Sequence, residues 1–300
     1  MFTFFCPVTG AIFRPSNLRY AKRPPVSDPI SSTASAPVEI AHIALTVRDL
    51  NGMAAFYTQA LGLAELSCEP GLRRLGVDSH TLVELREDRI ARRASAREAG
   101  LFHTAFLMPD RPALARWLRH AADNGLRLQG ASDHLVSEAI YLADPEGNGI
   151  EVYTDRPRTA WYDANGAVKM ATEALDLNAL LRAADRPWTA APAGLVVGHV
   201  HLQVGAIPQA EAFYAGTLGL PVVARYHGAA FYGSGGYHHH IATNVWNSQG
   251  AGPRNYPVTG LAELTLAADA RSVAEIKGRG GSDRMEDPWG TVISLQSKAV

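Results

Sequence analysis

Excess charge, cysteine and long apolar runs are all scarce in these 300 residues. The 28 Lys and Arg against 29 Asp and Glu leave a net charge of −1, so nothing draws the chain electrostatically to nucleic acid or an anionic membrane. The longest apolar runs, such as AGLVVG at 193–198, are far too short to cross a bilayer. Cys6 and Cys68 fit no metal-binding spacing and suit a reducing cytoplasm. The opening MFTFFCPVTGAIF has no positive start, and Pro7 and Gly10 interrupt its apolar stretch, so it departs from the anatomy of an export signal. Residues 14–37 are rich in Pro, Ser and basic residues, and a flexible extension without a core is expected over 1–37. With 47% apolar and 19% charged residues, the chain has the make-up of a soluble globular protein of one or two domains.

What is present is repetition. HIALTV at 42–47 and HVHLQV at 199–204 both alternate as half-buried strands do. Phe56-Tyr57 and Leu61-Gly62-Leu63 follow the first at the same offsets as Phe213-Tyr214 and Leu218-Gly219-Leu220 follow the second. The amphipathic stretches between them each end at a Gly suited to a helix C-terminus. The two copies, starting at His42 and His199, are 157 positions apart.

Each half divides again. GLFHTAFLM (100–108) reads as a strand, RPALARWLRHAADNG as a helix with Pro112 near its start, and AIYLADPEGNGIEVYTD as two strands around a Gly-containing turn. TGLAELTLAAD (259–269), RSVAEIKGRG and DPWGTVISL (287–295) repeat the scheme. Only 31 positions separate Glu263 from Ser294, against 48 between His103 and Glu151. The pattern predicts an α+β protein of four strand–helix–strand units paired into two domains, the last unit shortened. The expected domains are 38–156 and 195–300, with a linker at 157–194 whose ALDLNALLRAAD forms a helix. A curved sheet built from two units can enclose a pocket.

Polar residues interrupt the apolar strands at His42, His103 and Glu151. Burying one alone costs about 1–3 kcal/mol, more for a charge, unless it finds a partner. A lone strand His is usually a hydrogen-bonded structural residue, but three such groups at equivalent positions suggest a shared divalent ion. Two imidazoles and a carboxylate with open positions are the ligand set of non-haem Fe(II) oxygen enzymes. In the second half His199 persists, but Glu263 replaces the His and Ser294 the Glu, so 195–300 is expected to be degenerate. A secondary site of His199, Glu263 and one of His238, His239 and His240 is a further expectation.

The chain resembles the vicinal oxygen chelate superfamily (glyoxalase, bleomycin resistance and extradiol dioxygenase) over residues 38–156 and 195–297. The resemblance rests on HIALTVRDLNGMAAFYTQALGL, GLFHTAFLMPD, DPEGNGIEVY and GHVHLQV with EAFYAGTLGL. It implies paired βαβββ modules with cupped mixed sheets around a divalent metal. The two-domain layout and ASDHLVSEAIYLADPEGNGIEVY are most similar to bacterial catechol 2,3-dioxygenase-type proteins. This likeness implies an Fe(II) extradiol dioxygenase acting on a catechol-like aromatic and O2, with His42, His103 and Glu151 as ligands and His134 and Tyr141 handling protons. It also implies a cytoplasmic enzyme, with a homo-oligomer as one option for its assembly. His80 is the candidate for a further catalytic His. Glu84 is a candidate fourth ligand, which would favour a glyoxalase-like isomerase or lyase using Mn(II), Ni(II) or Zn(II). A third option is a binding or resistance protein of the same fold.

Overall fold

The computed structural model describes residues 36–298, so the expected extension over 1–37 lies, except for its last two residues, outside the described residues. The first module comprises β1 (Val38–Val47), α1 (Leu50–Leu61), β2 (Ala64–Glu69), β3 (Leu72–Val77) and β4 (His80–Glu87). The second runs through β5 (Gly100–Leu107), α2 (Arg111–Asp123), β6 (Gly130–Asp133), β7 (Ser137–Ala143) and β8 (Gly149–Asp155). After α3 (Leu177–Leu181), the third holds β9 (Val196–Gln203), α4 (Ile207–Glu211) continued by a π-helical turn at Ala212–Thr217, β10 (Val222–Tyr226), β11 (Ala229–Tyr232) and β12 (Ile241–Asn244). The fourth is shorter: β13 (Gly260–Ala268), α5 (Ala270–Gly278), β14 (Arg284–Glu286) and β15 (Val292–Ser297).

Local chemistry explains these elements. Asp49 caps α1 by accepting the Gly52 amide at 3.0 Å, and Gly62, at φ 71°, ends the helix in the left-handed region that favours glycine. Asp110 caps α2 in the same way through the Ala113 amide at 2.7 Å. Both helices turn their apolar sides inward. Trp117 of α2 is fully buried and donates its indole N–H to the Ala60 carbonyl of α1 at 2.8 Å. The linker helix α3 packs on α2, with Leu180 buried between apolar neighbours and Arg116 bound to Asp185 at 2.6 Å.

The strand pairing crosses the boundary between the two halves. One sheet of seven strands runs β14-β15-β13-β1-β4-β3-β2, and one of eight runs β10-β11-β12-β9-β5-β8-β7-β6. Each sheet thus draws one module from 38–156 and one from 195–300: first with fourth, second with third. At each centre two first strands meet antiparallel, β1 with β13 and β5 with β9, and each has its module's last strand parallel on its other side.

A bulged residue stands just before one position in every first strand. Ala41, Phe102, Gly198 and Ala262 are skipped in the pairing and immediately precede His42, His103, His199 and Glu263. Such bulges bend a strand and re-aim the side chain beside them, which curls both sheets at their centres.

The repeated Phe-Tyr and Asp-Pro-x-Gly motifs meet in space. Tyr57 of α1 donates to Asp144 at 3.1 Å, and Tyr214 donates to Asp287 at 2.9 Å. Asp144 also accepts the Glu146 and Asn148 amides, and Asp287 those of Trp289 and Thr291, so each carboxylate holds its own turn together. These bonds tie the first module to the second and the third to the fourth, pairs that the sheets leave unjoined. One apolar core, with residues from all four modules, runs through both sheets.

The pairing predicts that neither half is self-sufficient, because each alone would expose two long unpaired first strands. Residues 36–156 and 195–298 expressed separately should show no cooperative thermal transition by circular dichroism. Mixing them should restore one; a sharp transition in either half alone would contradict the topology.

Candidate metal centre

The eight-stranded sheet places three donors around one small residue. Ala105 of β5 pairs with Glu151 of β8 on one side and with His199 of β9 on the other. Directly paired residues point to the same face, and so does His103, two positions before Ala105. The Ala105 methyl leaves space for the three longer side chains to converge above it. His103 Nε2 lies 3.0 Å and His199 Nε2 3.3 Å from the same Glu151 oxygen, and all three ligand atoms fall within 4.8 Å of one another. Donors bound to one ion at ~2.1 Å and at right angles would be ~3.0 Å apart.

The hydrogen bonding also fits an ion. His103 Nε2 is buried yet makes no properly directed hydrogen bond, despite its closeness to Glu151. Glu151 and His199 are each only 2% exposed. Burial pushes the Glu151 carboxyl up, but His199 and then His103 hold it well below the usual carboxylate range. Burial pulls the His199 imidazole down to about 4, against the pull of Glu151. The site therefore presents a carboxylate beside a neutral His199 ring, the protonation that a divalent ion requires of its ligands.

Of the residues expected to form the centre, the structure brings together His103 and Glu151 but not His42 or Glu84. Those two lie in the seven-stranded sheet, where the corresponding positions are His42, Glu84, Glu263 and Ser294: Ala44 pairs with Glu84, and Thr265 with Ser294. Arginine occupies that cradle. Arg86 binds Glu84 at 2.7 Å and Glu263 at 2.9 Å, and Arg74 binds Glu84 at 2.8 Å. Ser294 donates to Glu263, and His42 Nε2 lies 3.3 Å from the Thr265 hydroxyl. Burial lowers the His42 imidazole, opposed by Glu84 and Glu263. Both carboxyls of the cradle are lowered: burial raises them, but Arg86 and Arg74 more than offset it at Glu84, and the Ser294 hydroxyl and Arg86 do so at Glu263.

His199, expected only in a secondary site, is the third donor of this triad. It occupies the place in the third module that His42 occupies in the first, and the repeat shows that equivalence without showing which modules pair. The secondary site of His199 with Glu263 does not form, since Glu263 belongs to the other sheet and is bound to Arg86. His80 is exposed at the β3–β4 turn of that same sheet.

His134 and Tyr141 do lie beside the triad. The Tyr141 ring centroid is 5.8 Å from that of His103, and its hydroxyl lies 2.6 Å from His134 Nε2. The other His134 nitrogen donates to the Ala171 carbonyl at 2.7 Å, so in the neutral ring Nε2 accepts from Tyr141. Burial and then Glu151 raise the Tyr141 phenol well above its ordinary value. His238, His239 and His240 are also buried here, and the His239 ring lies tilted against that of His199, with centroids 4.1 Å apart.

The position matching Glu151 in the third module is Ala242, paired with His201. The centre thus has three protein donors, and the fourth corner carries only a methyl. Phe102, Phe231 and Trp246 gather their rings around His201, next to His103.

Paired βαβββ modules closing cupped sheets, with donors converging from their first and last strands, define a vicinal-oxygen-chelate protein. Residues 39–152 and 196–294 match the family described as Glyoxalase/Bleomycin resistance protein/Dioxygenase superfamily, and the chain belongs to it. It is 39% identical over 233 residues to a catechol-2,3-dioxygenase of Bacillus subtilis (strain 168), a match covering 76% of this chain and 81% of that protein. Among solved structures it is similar to a putative dioxygenase from Bacillus subtilis subsp. subtilis str. 168, with TM-score 0.55 and 14% identity, covering 87% and 86% of the two chains. It is also similar to glyoxalase I from Zea mays, with TM-score 0.51 and 15% identity, covering 86% and 92%. At such identities the likeness to these two structures is one of fold alone. Among the described residues no helix is long and apolar enough to cross a membrane.

Two substitutions separate the cups. His199→Ala should weaken divalent-ion binding, measured by calorimetry, more than about 100-fold, whereas His42→Ala should leave it unchanged. Arg86→Met should cost about 1–3 kcal/mol in denaturant unfolding at pH 7, less than for a fully buried pair because Arg86 is partly exposed. Glu84 and Glu263 have depressed folded-state pKa values, so the ion pairs contribute above the ordinary carboxylate pKa and are lost as pH falls through the folded ones. The difference between wild type and Arg86→Met should therefore shrink in acid.

Proposed function

We propose that this protein is an extradiol ring-cleaving dioxygenase that acts on a catechol-like aromatic and uses Fe(II). The observation that carries the reading is the three-donor set of His103, Glu151 and His199 with Ala242 at the fourth corner. Such a set leaves more than two positions of an octahedral ion for small molecules, enough for a bidentate diol and O2 together. The relative named as a catechol-2,3-dioxygenase supports the same chemistry. A glyoxalase-like isomerase would be better served by a fourth protein carboxylate, and here Glu84 is engaged by arginines while Ala242 offers none.

Fe(II), when bound, would supply the electronic link between an electron-rich diol and dioxygen that the two cannot make directly. The chain's own residues do the rest. Glu151 would offset one of the ion's two charges, and the His103 and His199 imidazoles would contribute lone pairs. The Tyr141 hydroxyl, oriented by His134, stands beside His103 where it can hydrogen-bond a substrate oxygen, and the His134–Tyr141 pair can pass a proton. His239 brings a second buried imidazole within reach of the same centre. Burial pulls its pKa well below the ordinary value, with His199 adding to the effect, which keeps it neutral and able to accept a proton. Phe102, Phe231 and Trp246 offer flat apolar faces suited to an aromatic ring. The exposed free thiol of Cys68 accords with a reducing cytoplasm.

Protein loaded anaerobically with Fe(II) should consume one O2 per catechol and form a yellow ring-cleavage product. Tyr141→Phe should lower kcat by about 10²-fold with the metal content unchanged. Oxygen-independent turnover of a hemithioacetal would favour the isomerase. Tight catechol binding with no turnover under any metal would favour a binding protein.

A further inference from the structure

Beside His199 lies a chain of buried and partly buried polar groups that metal binding does not use. Asp155 ends β8, four residues after Glu151. Its Oδ1 lies 2.8 Å from His238 Nε2 and 3.2 Å from the Tyr237 hydroxyl. Tyr237 in turn lies 2.7 Å from the Tyr153 hydroxyl. His238 Nδ1 lies 2.8 Å from His239 Nδ1. The backbone is shaped around this chain: a Cβ on Gly198, the bulged residue before His199, would sit 1.9 Å from the Tyr153 hydroxyl oxygen.

Hydrogen-bond accounting assigns the protons in turn. A carboxylate only accepts, so His238 Nε2 must carry a hydrogen to meet Asp155. In a neutral ring that makes His238 Nδ1 a bare lone pair. The short contact between the two Nδ1 atoms needs one hydrogen, which must then belong to His239. The His239 Nε2 atom is left with its lone pair, and among the described residues no protein group is bonded to it. Free neutral imidazoles place the hydrogen mainly on Nε2, so this arrangement reverses the ordinary preference.

We propose that Asp155 and His238 are positioning residues that hold His239 in its Nδ1–H form and leave Nε2 as a proton acceptor beside the metal centre. The use of that acceptor rests on the dioxygenase reading, whereas the tautomer does not. Tyr153 and Tyr237 keep Asp155 in place: Tyr153 donates to Tyr237, which donates to the carboxylate. His238 is fully buried against Trp161 and Tyr237, with ring centroids 4.8 Å and 4.1 Å away, so it has little freedom to turn.

Nitrogen NMR of histidine-labelled protein, both metal-free and loaded with diamagnetic Zn(II), reads the tautomer without any turnover. His239 should show a protonated Nδ1 and a bare Nε2 in both. His238→Phe removes the acceptor while filling the same space and should move the His239 hydrogen to Nε2. In the Fe(II)-loaded enzyme the same variant should lower kcat toward catechol by about 10²-fold with little change in KM. Tyr237→Phe, which leaves the Asp155–His238 bond intact, should keep the wild-type tautomer. Should His238→Phe not fold, Asp155→Ala provides the second variant, and its His239 signals should become a mixture. A wild-type His239 protonated on Nε2, or a His238→Phe variant with unaltered tautomer and kcat, overturns the proposal. The expected tautomers without any ring cleavage would instead count against the dioxygenase reading alone.

Discussion

Ala105 sits in β5 between Glu151 on one flanking strand and His199 on the other. A methyl at this position allows longer side chains from three adjacent strands to lean over it and meet. A larger residue there would push the carboxylate and the imidazole apart. Much of the surrounding structure sustains this contact: bulges before His103 and His199 aim their rings, and Gly198 makes room for the buried Tyr153. The Asp144 turn returns the chain into β8 at the register that puts Glu151 opposite Ala105.

The two cups illustrate alternative answers to one electrostatic problem. Each gathers acidic side chains at the centre of a curled sheet, where an uncompensated charge is costly. In the seven-stranded sheet the compensation is covalently attached, since Arg86 spans Glu84 and Glu263 while Arg74 supports Glu84 from the next strand. Among the described residues no arginine or lysine is paired with Glu151, and its partners are the imidazoles of His103 and His199. A carboxylate so placed is a host for a mobile cation. The same duplicated scaffold thus carries one cup filled by its own side chains and another that is left for a ligand.

Much of this was legible in the residues. The repeat, the capped helices, the shortened fourth module and the strand placement of His103 and Glu151 all follow from spacing and periodicity. What spacing does not reveal is which modules pair. His42 and His199 occupy the same place in their respective copies, and either satisfies the pattern of a first-strand ligand. Pairing is decided by contacts such as β5 with β9, for which no short-range signal exists. A charge signal was nevertheless present: Glu84 is accompanied by Arg74 and Arg86 on paired strands, while β7 and β8 around Glu151 carry no Arg or Lys. The run of three histidines lies in the half expected to be degenerate, and only the pairing of the second and third modules brings it beside the site.

The crossed pairing of modules also has a consequence for assembly. The triad spans 96 positions, from His103 to His199, whereas His42 reaches Thr265 across 223. Loop-closure entropy favours the shorter span by about 0.7 kcal/mol. As the chain leaves the ribosome, the strands of the eight-stranded sheet are all available once Asn244 has emerged. The first module must wait, with the inner edge of β1 bare, until β13 is made. That interval is the period in which a nascent chain is most open to misassociation. A product truncated before β13 would therefore keep His103, Glu151 and His199 and still be vulnerable at its opposite end.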